Sequence, residues 1–396
     1  MKIFWITPET PYPPNTGGKI GIWKRIEYLS RTNEIYLYSI KESEADEKER
    51  SKMEQYCAKA ALFKRKQKLV ALFEGVFYPY PAVSRWNRKM KQELLKDYER
   101  ILPDYIMVDS PQMIGVLPDN IIHEGRVILN QHNLEYQTLD CIAQNFKGPR
   151  KFLYHFVSRQ MEEYEKKIYL NRNICLYTFV SQKDKECFEK QYKDRNTELV
   201  PVGAELHKNV EANANANKNM IFVGKMSYFP NEQGAIWLID EVMPIIAKQI
   251  PDVVLYLVGK HPTNSLMKRV TGRKNIVITG AVESIEPYYD NCELSLVPIM
   301  SGGGVNVKLV EAMGYGKMVV STSKGVEGTE FIRNTHLRVE DDASSFAEAC
   351  VEYLRHPNSK ENMDIRNNGY QLVENNYSWA TVVGKLERRM LEMLDQ

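Results

Sequence analysis

The chain has 396 residues, of which 43% are hydrophobic and 26% charged, and its formal net charge is +2. The length predicts about two or three domains, and the composition is typical of a globular protein. The small net charge argues against a general attraction to nucleic acid, and no apolar run is long enough to span a membrane. The N-terminal stretch MKIFWITPETPYPPN has too short an apolar run for a signal peptide. The six cysteines are scattered without a CxxC pair, which favours free thiols in a reducing compartment and a cytoplasmic protein.

Apolar runs of strand length alternate with helical patterns along the whole chain. Strand patterns lie at 2–7, 34–40, 104–109, 126–130 and 174–180, and again at 219–224, 253–259, 275–280, 294–298 and 318–322. Such alternation predicts right-handed βαβ units and parallel sheets. The polar stretch KNVEANANANKN at 208–219 separates the two halves and predicts an exposed linker. We therefore expect an α/β protein of two Rossmann-like domains with a boundary near residue 200.

The stretch SGGGVNVKLVEAMGYGK, residues 301–317, joins a predicted strand to a helical pattern. A glycine-rich turn before a helix exposes backbone N–H groups that suit a phosphate, and ligands of parallel sheets bind beyond the carboxyl ends of the strands. Lys308 adds a positive charge suited to a diphosphate, and the Glu311 carboxylate suits ribose hydroxyls. The candidate donor-binding residues of the turn itself are Gly302, Gly303, Gly304, Val305 and Asn306. The alternatives are a tight turn without a ligand and a solvated helix lysine.

Three more candidates follow other predicted strands. Gly17 and Gly18 begin a helical pattern after the first strand, His132 follows the strand at 126–130, and Lys225 follows the strand at 219–224. Each also has a plain structural reading, as a helix start, a structural histidine and a solvated lysine. Since there is no GxGxxG and no acidic residue ends the second strand, a dinucleotide cofactor is not expected. No Asp-x-Asp pair stands at a strand end, so no metal site is expected.

Basic residues flank the aromatic stretch LVALFEGVFYPYPAVSRW in the first half of the chain. The candidates for contact with an acceptor or a membrane are Lys64, Arg65, Arg85, Arg88 and Lys89. Interleaved basic and apolar residues suit an anionic membrane surface or a lipid phosphate. They equally suit a solvated helix face over core aromatics.

Together, these motifs resemble the GT-B glycosyltransferases of the retaining, family-four type found in bacterial polysaccharide biosynthesis. The resemblance rests on VPVGAE, FVGKMSYFPN and, most specifically, GGGVNVKLVEAMGYGKMVVST. It implies two facing Rossmann-like domains, with residues 1–200 as the acceptor domain and 201–375 as the nucleotide-sugar domain. Residues 376–396 would form a helix that returns to the first domain.

The resemblance also assigns roles to single residues. Glu311 matches the second glutamate of the E-x7-E pattern, which binds the ribose, and Lys225 matches a basic residue near the donor diphosphate. His132 matches a histidine near the transferred sugar, and Gly17 and Gly18 match a loop that approaches the donor phosphates. The sequence departs from the family where Gly303 replaces the usual first glutamate, and where PNEQG carries no second basic residue. Lys308 is the candidate to replace that lost charge.

The implied function is metal-independent sugar transfer with retention. The expected donor is a UDP-sugar, with a GDP- or dTDP-sugar as alternatives, and the acceptor is a glycan, a lipid-linked glycan or a protein. The implied location is the cytoplasm or the inner face of the membrane. Two other functions stay open, a GT-B nucleotide-sugar epimerase and a non-catalytic nucleotide-sugar-binding subunit. Hydrolysis of the donor by the purified protein separates an active transferase from a binding subunit.

Overall fold

The computed structural model describes residues 1–144, 146–171, 173–207, 218–302 and 305–395. The chain divides into two compact units, one made of Met1–Pro201 and Val382–Gln396 and the other of Val202–Thr381. The sequence analysis places the boundaries after residues 200 and 375, and this division falls after residues 201 and 381. Most of the predicted linker, residues 208–217, lies outside the described part of the chain.

Within its described residues, the first unit has a seven-stranded parallel sheet with the order β3-β2-β1-β4-β5-β6-β7. The strands are β1 (Lys2–Thr7), β2 (Glu34–Lys41), β3 (Lys59–Lys64), β4 (Tyr105–Asp109), β5 (Val127–Gln131), β6 (Ile174–Phe179) and β7 (Thr197–Leu199). The helices are α1 (Gly17–Leu29), α2 (Glu44–Lys48), α3 (Arg50–Met53), α4 (Lys68–Glu74), α5 (Tyr80–Val83), α6 (Arg88–Ile101), α7 (Asp119–His123), α8 (Glu135–Gln144), α9 (Pro149–Tyr169) and α10 (Gln182–Gln191), with a 3₁₀ turn at Pro111–Val116. The strand order reverses between β1 and β4, and ligands of such sheets bind at that position.

The second unit repeats the same topology. Its described residues form a six-stranded parallel sheet with the order β10-β9-β8-β11-β12-β13. The strands are β8 (Asn219–Val223), β9 (Val254–Val258), β10 (Ile276–Gly280), β11 (Leu294–Val297), β12 (Met318–Ser321) and β13 (Arg338–Val339). The helices are α11 (Phe229–Trp237), α12 (Met243–Gln249), α13 (Asn264–Val270), α14 (Glu286–Asp290), α15 (Val307–Gly314), α16 (Ala343–Arg355) and α17 (Lys360–Leu372), with π-helical turns at Leu238–Val242 and Val373–Tyr377. The last helix, α18 (Trp379–Leu394), begins in this unit, and its residues from Val382 onward belong to the first unit. The expectation of two parallel Rossmann-like sheets is confirmed.

The sequence patterns missed three strands, and all three lie at sheet edges. β3 and β7 border the first sheet, and β13 borders the second. An edge strand pairs with a neighbour on one side only, so fewer of its side chains need to be apolar. KAALFK in β3 accordingly carries a lysine at each end. β7 and β13 are only three and two residues long, too short to show a pattern. Among the described residues, no helix is both long and apolar enough to cross a membrane.

The first helix of the second unit packs directly against the chain that leaves β11. Gly234 of α11 lies so close to Pro298 that a Cβ at this position would be 2.3 Å from the Pro298 carbonyl oxygen. Because backbone atoms cannot move aside as a flexible side chain can, only glycine fits here. This contact fixes α11 beside the segment that leads to the glycine-rich turn.

We predict that Gly234→Ala destabilises the second unit, although alanine favours helix by about 1 kcal/mol. The overpacked contact should cost about 1–3 kcal/mol, measured as a shift of one transition in urea unfolding of the full chain. The matched control is Gly384→Ala in α18, where a Cβ meets nothing within 4 Å; this variant should be neutral or more stable. Equal effects of the two substitutions would contradict the close approach.

Candidate functional site

The glycine-rich turn of the second unit is held on both sides. Gly302 has a φ of 103°, and a Cβ there would lie 3.2 Å from Cγ of Pro230 in α11. At the other end of the turn, Asn306 Nδ2 donates to the carbonyl of Gly325 at 3.0 Å, directly before α15. Val305 is half-buried between them. Gly303 and Gly304 lie outside the described residues.

Lys308, in the first turn of α15, is not a solvated lysine. Its ammonium donates to Asn231 Oδ1 at 3.1 Å, and Asn231 is itself 5% exposed. Burial lowers the pKa of Lys308 to about 8, against the opposing effect of the Glu311 carboxylate. The positive charge is therefore held partly out of water, where its attraction to an anion is strengthened.

Glu311 lies one turn further along the same helix. Tyr289 donates its hydroxyl to Glu311 Oε2 at 3.4 Å, and burial raises the pKa of Glu311 to about 7. Behind this carboxylate, Tyr289 stacks on Tyr315 with ring centroids 4.3 Å apart, and Tyr315 stacks on His207 at 3.7 Å. The aromatic stack fixes the carboxylate from one side.

Lys225 follows β8 and is exposed, and its side chain has no ion pair with the described residues. Its backbone carbonyl accepts a hydrogen bond from Asn231 Nδ2 at 3.0 Å. Asn231 thus contacts both Lys225 and Lys308, and it joins the carboxyl end of β8 to the start of α15. The structure brings these predicted residues of the second unit together at one end of the sheet.

The sequence analysis missed one cation at this place. Lys324 lines the same depression as Tyr228, Gly302 and Asn306, and it forms an ion pair with Glu327. It comes three residues after β12 ends at Ser321, so its position after a strand was the available signal.

In the first unit, His132 directly follows β5 and lies against a buried carboxylate. Its Nε2 is 2.9 Å from Asp109 Oδ1, and Asp109 is fully buried at the end of β4. Because a carboxylate only accepts hydrogen bonds, Nε2 is the donor. Asp109 also accepts hydrogen bonds from Asn130 Nδ2 at 3.1 Å and from Trp5 Nε1. These contacts fix the orientation of the His132 ring.

A buried cation, Arg25, is influenced by the charge of Asp109. Arg25 of α1 is 1% exposed and donates to the Val200 carbonyl at 2.7 Å. Burial lowers the pKa of Arg25, while the charge of Asp109 acts to raise it. Neither residue was a sequence candidate, because each lies within an apolar or helical pattern.

A second buried carboxylate fixes the segment after His132. Glu165 of α9 accepts hydrogen bonds from the backbone N–H groups of Glu135 and Tyr136, both at 3.2 Å, and from the Tyr169 hydroxyl at 2.8 Å. These two N–H groups belong to the first turn of α8, where backbone donors have no partner within the helix. Burial nevertheless raises the pKa of Glu165 to about 8. Glu165 therefore holds the start of α8 just beyond His132.

Gly17 and Gly18 begin α1, and both are exposed. The Thr16 hydroxyl accepts the backbone N–H of Lys19 at 3.4 Å, which caps the helix. A Cβ at position 18 would meet nothing within 4 Å. No contact within the described residues therefore requires glycine at position 18.

The basic candidates of the first unit fall into two groups. Lys64 pairs with Glu44 at 3.1 Å and Arg65 with Glu42 at 3.6 Å. Arg85 is half-buried and donates to the carbonyls of Pro8 at 3.2 Å and Pro81 at 2.7 Å; burial lowers its pKa. Arg88 and Lys89, in contrast, are exposed in the first turn of α6, without an ion-pair partner among the described residues.

The second unit matches a known family. Residues 217–356 match the family model described as Glycosyl transferases group 1, and this range includes Lys225, Lys308 and Glu311. Over the whole length, a Klebsiella pneumoniae protein described as an uncharacterized 44.6 kDa protein in the cps region is 26% identical across 404 residues, covering 97% of this chain and 98% of the relative.

Solved structures share the fold of both units. Anabaena Alr3699/HepE, in complex with UDP, has a TM-score of 0.66 and 13% identity, with 99% of this chain and 100% of that one covered. WaaG, a glycosyltransferase involved in lipopolysaccharide biosynthesis, has a TM-score of 0.63 and 13% identity, with 97% and 98% covered. These similarities confirm the GT-B fold that the motifs predicted.

We predict that Asp109→Asn destabilises the first unit. The substitution keeps the volume but replaces one carboxylate oxygen, an acceptor of the hydrogen bonds from Trp5, Asn130 and His132, by an N–H donor. A buried donor left without an acceptor costs about 1–3 kcal/mol. Thermal and urea unfolding measure the loss, and the exposed Asp119→Asn of α7 is the matched control, with an expected change within about 0.5 kcal/mol. A variant as stable as the control would show that the hydrogen bonds to Asp109 do not contribute to stability.

Proposed function

We propose that this protein, which carries a glycosyl transferases group 1 domain at residues 217–356, transfers a sugar from a nucleotide-sugar donor to an acceptor. The observation that carries the proposal is the pair of partly desolvated, oppositely charged side chains in α15. Lys308 suits the diphosphate of the donor and Glu311 suits its ribose. Holding both charges out of water is unfavourable for the free protein, and a ligand with complementary groups offsets that cost.

In the proposed mechanism the diphosphate leaves without a metal ion. The bond between the anomeric carbon and the diphosphate oxygen breaks, and negative charge grows on the leaving phosphate. Lys308, the exposed Lys225 and the N–H groups at the start of α15 stabilise that charge. The neighbouring Lys324 adds a further positive charge beside Gly302.

We further propose that the reaction retains the anomeric configuration. The acceptor hydroxyl attacks the face that the diphosphate leaves, and its proton passes to the departing phosphate oxygen. UDP is the proposed nucleotide because HepE, which shares the fold, is in complex with UDP; GDP and dTDP are the alternatives.

Donor turnover by the purified protein tests the function. UDP-, GDP- and dTDP-sugars are incubated with and without EDTA, and nucleoside diphosphate and free sugar are quantified by NMR, which also reports the anomer formed. Slow hydrolysis of a UDP-sugar that is insensitive to EDTA, with the donor configuration kept in the sugar, is the expected result. Tight binding without turnover would instead favour a non-catalytic subunit, and an epimerised sugar would favour the epimerase.

We predict that Glu311→Gln weakens UDP binding in calorimetry about 10- to 150-fold, because hydrogen bonds to a charged group contribute about 1.5–3 kcal/mol. The matched control is Glu283→Gln, an exposed carboxylate of the same unit, which should bind UDP like the wild type. Unchanged affinity in Glu311→Gln would remove this residue from the nucleotide site.

We predict that Lys308→Met weakens UDP binding without lowering stability at pH 7. The reason is that burial disfavours the charged lysine, so an apolar side chain of similar length relieves a desolvation cost, which offsets the loss of the hydrogen bond to Asn231 Oδ1. Urea unfolding and calorimetry measure the two effects, and the exposed Lys274→Met should change neither. A stability loss above about 1 kcal/mol together with unchanged UDP affinity would make Lys308 a structural residue.

A further inference from the structure

The segment between β3 and α5 exposes an unusual number of large apolar side chains. Leu69 is 82% exposed, Phe73 74% and Phe77 72%. The segment also exposes Val70, Leu72, Val76 and Tyr78. Monomeric proteins rarely expose such contiguous apolar surface unless it contacts a partner or a membrane. We call residues 69–78 the apolar segment.

A cavity of about 340 Å³ lies beside the apolar segment, within the size range of small-ligand sites. Its aromatic wall is formed by Phe77, Tyr78 and Trp86, and its cationic side by Arg88 and Lys91. Phe77 and Tyr78 belong both to this cavity and to the apolar segment. The cavity is therefore continuous with the exposed apolar surface.

The cavity wall is rigidly built rather than loosely packed. Trp86 Nε1 donates to the Gln112 carbonyl at 3.1 Å, and the indole packs edge-on against Tyr78 with centroids 5.2 Å apart. The ring lies directly over Gly115, where a Cβ would come within 2.3 Å of Trp86 Cε2. The aromatic surface is therefore in place before any ligand binds.

The charge around the cavity is positive. Lys66 is neutralised by Glu74, with which it forms an ion pair. Arg88 and Lys91 lie on the first turn of α6, three residues apart, and both are exposed without an ion-pair partner in the described part of the chain. Two cations beside an apolar cavity complement a ligand with an anionic head and an apolar chain.

Helix α9 extends the apolar surface. Gln160 Nε2 donates to the carbonyls of Gly75 at 3.3 Å and Val76 at 3.1 Å, which ties the helix to the apolar segment. Two turns earlier α9 exposes Phe152, Leu153 and Phe156, next to Arg150 and Lys151. Basic residues adjoin large apolar ones here, a combination found in segments that lie in a bilayer interface.

We propose that the cavity binds a phosphate-bearing membrane lipid, with the lipid chain against Phe77, Tyr78 and Trp86 and the phosphate at Arg88 and Lys91. The apolar segment then lies in the bilayer interface around it. This inference deepens the proposed function: it names the lipid as the class of acceptor, and in that respect it rests on the proposed function. The binding itself does not depend on sugar transfer. Arg88 and Lys91 carry the interaction, whereas Lys64 and Arg65 are engaged by acidic partners.

Quenching of Trp86 fluorescence by lipids with brominated acyl chains tests the proposal directly. The full chain is titrated with vesicles of brominated phosphatidylglycerol and, separately, of brominated phosphatidylcholine. We expect quenching with the anionic vesicles, most of it absent in Trp86→Phe, and an affinity that falls at high salt. Millimolar inorganic phosphate should not displace the vesicles; displacement would show a site for a free phosphate and overturn the lipid.

Matched variants separate the charge from the apolar contact. The double variant Arg88→Gln, Lys91→Gln should bind anionic vesicles at least about tenfold more weakly, given about 1 kcal/mol for each cation. The control pair Lys190→Gln, Lys193→Gln, exposed at the end of α10 and just beyond it, should bind normally. Phe73→Ser with Phe77→Ser should abolish quenching, whereas Ile332→Ser, an exposed apolar residue of the second unit, should not.

UDP binding is measured on every variant, so that a failure of the lipid site is distinguishable from a failure of the donor site. Absence of quenching with anionic vesicles at low salt, while UDP still binds, would overturn the lipid proposal alone. Equal weakening in the control pair would overturn the role of Arg88 and Lys91. A wild-type dimer that Phe73→Ser with Phe77→Ser converts to a monomer would show that the surface is a self-association interface.

Discussion

Each unit holds opposite charges partly or wholly out of water at the carboxyl end of a parallel sheet, and the candidate chemistry depends on this desolvation. In the first unit, buried Asp109 orients His132, and its charge acts on the buried Arg25. In the second, Lys308 and Glu311 have pKa values moved towards neutrality by burial. A parallel sheet creates such partly desolvated sites, because the carboxyl ends of its strands meet at one edge while helices cover both faces. The same low polarity that makes these charges unfavourable in the free protein strengthens their attraction to a ligand.

The architecture was predictable because buried parallel strands are continuous apolar runs, and the ten predicted strands correspond to strands of the two sheets. The three missed strands lie at sheet edges and contact fewer neighbouring elements, so their sequences show little apolar pattern. Sequence position after a strand also found His132, Lys225, Lys308 and Glu311, whose roles stay predictions. It could not find Asp109, which ends an apolar strand pattern and meets His132 only through the register that pairs Asp109 with Asn130.

The role of each charged residue depends on its burial and on its hydrogen-bond and ion-pair partners. Neither can be read from the sequence. Lys308 is held by Asn231, which lies 77 positions away in sequence. The basic residues near the aromatic stretch looked alike in the sequence, yet Lys64 and Arg65 have acidic partners while Arg88 does not. The number of basic residues alone is therefore a poor reason to expect a lipid partner. The exposed apolar segment and its cavity are a better one, because they offer a surface for the lipid chain and cations for its phosphate.

The central claim is that the desolvated ammonium of Lys308 meets the diphosphate of the donor. A diphosphate next to Lys308 favours the charged form, so binding above the free pKa of about 8 must draw a proton from solution. The direct measurement is calorimetry of UDP binding at pH 8.5 in buffers of different ionisation enthalpy, which gives the number of protons taken up. The account predicts net proton uptake by the wild type and none by Lys308→Arg, whose guanidinium is already charged. Equal uptake by both proteins, or none by either, would contradict it.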